Sequence, residues 1–234
     1  MIDNLTQIIV YCKKFINLRN YSLFKSMSLT KCTRGTVKRI SKTRVISPLD
    51  GSETSFDTLW KDQKCVFIFF RRWRWLYSKL VAREVSAIQP LLTKYNIKLI
   101  GIGFEHLGAK EFIKQQYFEG NIFIDERKEV YQALNLKRIG YFQFLSSFFS
   151  SDAQKAQEYA GSLRLRGNVF GGVNDRKLQQ NGGCLVVDKG GGENPLLHHI
   201  SRDASDRVQV KDILRALNIT EDVPAATPVI MKIG

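Results

Sequence analysis

Residues 64–79 read Lys-Cys-Val-Phe-Ile-Phe-Phe-Arg-Arg-Trp-Arg-Trp-Leu-Tyr-Ser-Lys. The first part, through Phe70, is a continuous apolar run of the kind found in a central strand buried on both faces. Basic and aromatic residues then interrupt it, and beyond them apolar residues return at helical spacing. Val81, Val85, Ile88, Leu92 and Tyr95 make one stripe, which predicts a core-facing helix from about residue 76 to 95. Pro90 lies off the stripe and is expected to kink it.

The same alternation extends in both directions. Val45-Ile46-Ser47 followed by Pro48, Asp50 and Gly51 predicts a short hairpin before the core. Downstream, Lys98–Gly103 reads as a strand, Leu107–Phe118 as a helix and Asn121–Asp125 as a strand, with a further helix through Tyr131 and Leu134. Cys184–Asp188 and Leu196–Ile200 flank Gly190-Gly191-Gly192 and should form an antiparallel hairpin. A last helix, Val210–Leu217, would lay Val210, Ile213, Leu214 and Leu217 on the sheet. The fold class is therefore α/β, a central mixed sheet flanked by helices. Residues 136–182, rich in Phe, Ser and Gly, are an insertion before the C-terminal hairpin whose structure the sequence specifies poorly.

The chain has 234 residues, enough for one α/β domain and too few for two comfortable ones. Its 44% hydrophobic and 25% charged residues are ordinary for a soluble protein, and no apolar run reaches the ~18 residues of a membrane span. The net charge is +14, but residues 1–47 carry ten Lys or Arg against Asp3 alone and supply +9 of it. A nucleic-acid protein would carry its basic stripe on the folded body, so no nucleic-acid partner is expected. Residues 1–44 are read as a disordered basic arm outside the chemistry, 45–220 as the domain and 221–234 as a tail. The arm also loosely fits an organelle transit peptide, or an extension upstream of Met27.

Cys12, Cys32, Cys65 and Cys184 form no CxxC pair and no metal-ligand spacing, which points to a reducing compartment, the cytoplasm. Cys65 and Cys184 each open an apolar run, where a cysteine behaves as a small buried hydrophobe. His198-His199 read as ordinary, partly exposed side chains, and no metal is expected. Gly101-Ile102-Gly103 lacks the third glycine of a dinucleotide fingerprint. Asp125-Glu126, at a strand end, is expected to cap the following helix.

Arg71-Arg72-Trp73 and the helix Leu80–Ile88, then Leu99–Gly103, Leu107-Gly108, Glu111-Phe112 and Tyr117–Gly120 form a connected pattern. It goes on through Asp125-Glu126, Tyr131, Leu134, Lys137-Arg138, Gly167-Asn168, Gly182-Gly183, Leu185–Val187 and Lys189–Gly191 to about Ile219. Over roughly residues 45–220 the chain resembles the peroxiredoxin-like family, of the AhpC/TSA type, that contains prostamide/prostaglandin F synthase. The resemblance implies a thioredoxin-like fold and oxidoreductase chemistry in lipid metabolism, the reduction of prostaglandin H and prostamide H endoperoxides to F forms. It implies thioredoxin as partner, with NADPH as the indirect electron source and no bound cofactor. It also places a Gly-Cys-x-x-Cys at the helix start, where unpaired N–H groups and the helix dipole favour a thiolate.

In this chain those positions hold Arg74, Trp75 and Ser78. Trp75 and Ser78 cannot form a disulfide, and a serine hydroxyl without a base is not ionised. The expectation is a catalytically impaired family member, a pseudoenzyme, with Trp75 filling the pocket mouth. The alternative is an active thiol oxidoreductase that uses Cys65 or Cys184. Arg71 and Arg72 are candidates for attracting an acidic substrate, or are solvated charges flanking the strand.

Overall fold

The computed structural model describes residues 35–136, 150–167, 180–203, 205–226 and 228. Its strands are β1 (Arg44–Ile46), β2 (Glu53–Ser55), β3 (Lys64–Phe69), β4 (Ile97–Gly103), β5 (Asn121–Ile124), β6 (Gly183–Val187) and β7 (Leu197–Ile200). Among the described residues they form one sheet in the order β2-β1-β5-β4-β3-β6-β7. β3, β4 and β5 run parallel, joined by helical crossovers. β6 pairs antiparallel with β3, and hairpins complete both edges. The predicted mixed α/β sheet and both hairpins are present. Gly190, Gly191 and Gly192 all take positive φ between β6 and β7, a conformation glycine adopts without strain.

The alternation of β3 explains why every residue of its apolar run is needed. Val66 and Ile68 face one core layer; Cys65, Phe67 and Phe69 face the other. The first layer is covered by α3 (Leu76–Ser86), α4 (Gln89–Lys94), α5 (Ala109–Lys114), α7 (Ser151–Ser162) and α8 (Val210–Ala216). The second is covered by α1 (Thr36–Ile40), α2 (Phe56–Leu59) and α6 (Glu129–Ala133). Asp125 does cap α6: its carboxylate accepts from the backbone N–H of Glu129, Val130 and Tyr131.

Four sequence expectations need correction. The helix predicted over 76–95 is two helices, because Pro90 sits in the first turn of α4, where its missing N–H is no loss, and so starts a helix instead of kinking one. Tyr95, at the end of the predicted stripe, is 46% exposed. The helix predicted over Leu107–Phe118 is only Ala109–Lys114; Gln116 takes φ 53° and folds Tyr117 and Phe118 back into the core. The folded body begins before residue 45, since α1 buries Val37 and Ile40 against Phe67-side residues of the sheet. Residues 1–34 lie outside the described residues, as do much of the 136–182 insertion and the end of the tail. Within the insertion, α7 presents Ala153, Ala156 and Ala160 to the core, with Ser150 accepting from Ala153 N–H as its cap.

The glycines of β4 have a packing reason. A Cβ at Gly101 would lie 2.7 Å from the Phe70 ring, and one at Gly103 would overlap the Trp73 indole. Gly103→Ala should therefore lower stability by ~1–3 kcal/mol through overpacking, read as a shift in the urea midpoint. Combined with Trp73→Leu the two losses should fall short of additive; strict additivity would contradict the contact.

Candidate functional site

The corner between β3 and α3 is assembled by four aromatic residues and one acid. Phe70 N–H still pairs with the Ile102 carbonyl at 2.8 Å, after which the chain leaves the sheet. The Phe70 ring packs against Trp73, Phe112 and Phe118 at 5.3–5.4 Å between centroids. Trp73 is fully buried and its Nε1–H donates to the Glu105 carbonyl at 2.6 Å. The Glu105 carboxylate accepts from Arg72 Nε at 2.9 Å, and both side chains are largely shielded. Glu105, just past β4, thus ties the middle of the corner to the end of β4.

Trp75 occupies the N-cap position of α3 with extended backbone, and its carbonyl accepts the first helical bond, from Lys79 N–H at 3.2 Å. The side chain is 3% exposed. Its indole meets the edge of Tyr77 at 5.4 Å and carries the Arg71 guanidinium 5.2 Å above its centroid. Ser78, in the first turn, is 4% exposed. Arg74 alone of this run faces solvent; its aliphatic stem lies against Gly108.

The two arginines are not solvated flanking charges. Arg72 is engaged by Glu105, and Arg71 is 6% exposed. Arg71 Nη2 donates to Asn181 Oδ1 at 2.8 Å and to the Asp203 carbonyl. Burial pushes its pKa down to about 10, against the opposing pull of Asp203 and Asp206, so it stays charged at neutral pH. Asn181 ends the insertion and Asp203 follows β7, so this burial is built from segments more than 100 residues away. Nothing local in the sequence signals it.

Cys65 and Cys184 are both buried, free thiols. Burial raises the Cys65 pKa to about 12 and raises that of Cys184 as well. The Cys65 thiol lies 3.0 Å from the Leu59 carbonyl, which it can only donate to. Neither has the lowered pKa and access of a reactive thiolate. His198 and His199 are half-buried, and burial lowers the pKa of each. Among the described residues, no cluster of His, Cys, Asp or Glu could hold a metal, and no helix is long and apolar enough to cross a membrane.

Residues 84–203 match the family described as AhpC/TSA antioxidant enzyme. The chain belongs to this family. It is similar to the prostamide/prostaglandin F synthase of Salmo salar, 33% identical over 183 residues that cover 78% of this chain and 88% of that one. The Homo sapiens protein of the same name is 32% identical over 178 residues, covering 76% and 87%. Among solved structures, a mutant of Xanthomonas campestris peroxiredoxin Q aligns with a TM-score of 0.52 at 12% identity, over 82% of this chain and 96% of that one. That likeness is one of fold, and the thioredoxin-like, peroxiredoxin-like architecture follows from it.

The corner makes two measurable demands. Trp75→Ala should destabilise the chain by ~3–5 kcal/mol, because a buried indole is deleted and the guanidinium beneath it uncovered, and the denaturation midpoint will show it. Iodoacetamide at pH 8 should leave Cys65 and Cys184 unlabelled in the folded chain and modify both in guanidinium chloride, as mass spectrometry of the peptides would record.

Proposed function

We propose that this chain is a family member that has given up dithiol redox chemistry and retains the fold as a non-catalytic scaffold. The observation that supports this reading most directly is Trp75, a buried indole at the helix N-cap, where the attacking thiolate of a CxxC enzyme would stand. On this reading Trp75 and Ser78 hold the positions of the two redox cysteines. The nucleophile is then replaced by a residue with no lone pair to offer, and the resolving thiol by an alcohol.

What remains of the relatives' function is recognition. The corner surface around Arg74, Lys79 and Arg166 keeps basic groups over the helix start, a setting that suits a thioredoxin-like partner or an acidic lipid without turnover. Prostamide/prostaglandin F synthase activity, with NADPH electrons arriving through thioredoxin, is the activity that was lost. The free thiols fit a cytoplasmic location. An active enzyme working through Cys65 or Cys184 is the less favoured reading, since both are buried with raised pKa.

A coupled assay with thioredoxin reductase, thioredoxin and NADPH tests the proposal, offered prostaglandin H and a simple alkyl hydroperoxide in parallel. The wild-type chain should consume NADPH no faster than the protein-free blank. Turnover abolished by alkylation would overturn the proposal. Arg74→Gly/Trp75→Cys/Ser78→Cys should restore measurable turnover. Its folded state is checked separately by near-UV circular dichroism, because deleting the Trp75 ring destabilises the corner.

A further inference from the structure

Arg71 is held by neutral groups: an amide oxygen, a backbone carbonyl and an indole face. Its Nη1 is buried and has no hydrogen-bond partner among the described residues. A buried guanidinium normally meets a counter-charge, because its desolvation is not recovered by neutral acceptors alone. The nearby carboxylates of Asp203 and Asp206 attract the guanidinium through space, but their hydrogen bonds go to other groups. Asp206 Oδ2 accepts from Arg202 N and Nε at 2.8 and 3.2 Å, and the Asp203 carboxylate accepts from the Ser205 hydroxyl and from Ser205 and Asp206 N–H.

Arg71 also lines a small cavity against the first turn of α3. Tyr77 and Ser78 contribute from the helix, Gly182 from the approach to β6, and Ser201 and Ser205 from beyond β7. Asp206 and Arg207 close it, the latter paired with Glu84 at 2.7 Å. The cavity volume is about 30 Å³. One water needs roughly 10–15 Å³ on this measure, so there is room for a monatomic ion and none for a lipid or a peptide side chain. The two features that point to an anion here are independent: a buried cation with an unpartnered donor, and the positive end of α3, an 11-residue helix with no side-chain cap.

We propose that this cavity is a binding site for a single chloride ion, held by Arg71 Nη1 and by the hydroxyl groups of Ser78 and Ser201. The site is independent of whether the corner once did redox chemistry. It supplies the hydrogen-bond acceptor that Nη1 otherwise lacks.

The test is thermal unfolding of the full chain in sodium chloride against sodium gluconate at constant ionic strength. Gluconate is too large to enter. Chloride should raise the midpoint along a saturating curve, by on the order of 5 °C at a hundredfold excess over the dissociation constant. Arg71→Gln should flatten that curve, while Arg72→Gln, which alters the Glu105 pair outside the cavity, should keep it. Crystals grown in bromide decide the matter even where Arg71→Gln does not fold: an anomalous peak should lie within hydrogen-bond reach of Arg71 Nη1. Equal midpoints in the two salts, a chloride response that survives Arg71→Gln, or bromide peaks at surface lysines alone (an adventitious ion only) would each overturn the proposal.

Discussion

The Trp73 indole rests on the bare backbone of Gly103, and the direction in which the chain leaves the sheet depends on that contact. A side chain at Gly103 would push the indole out. Without the indole in place, its bond to the Glu105 carbonyl and the packing against Phe70 and Phe112 would both go. Glu105 holds Arg72 as well, so one aromatic-on-glycine contact sets the path of the residues from Phe70 to Trp75. The position of the α3 N-terminus follows, and with it the identity of whatever sits there.

At that N-terminus the Trp75 indole has a structural consequence. Trp75 covers Arg71, and Arg71 reaches Asn181 and Asp203, which belong to the end of the insertion and the loop after β7. The corner is thus a packed junction between three parts of the chain. Removing the indole would open space beside a buried cation, which makes this one residue important for stability.

Most of the framework was legible from residue order. The run Cys65–Phe70 read as a central strand because it is short, apolar throughout and rich in β-branched and aromatic residues, and the glycine triplet read as a turn. Asp125 was readable as a cap for the same local reason. The errors fell where distant packing decides. Pro90 permits either a kink or a new start, and its neighbours choose. Val37 and Ile40 looked like part of a basic arm because Lys38 and Arg39 lie between them; burial of every third residue against the sheet makes them core. Helix α7 was hidden by composition, its inward face being three alanines, whose spacing after Ser150 was the available signal.

The sequence by itself determined the alternation of strands and helices, the family, and the absence of two thiols at the start of α3. These are properties of neighbouring residues, or of a pattern shared along the chain. Only the tertiary structure decided what Arg71, Arg72 and Trp75 are for. Their polar partners are Glu105, Asn181 and Asp203, from 33 to 132 residues away. Periodicity gives the face a side chain occupies, and the sheet order gives what waits on that face. A charge that reads as solvated in the sequence is buried here because three separate segments close over it.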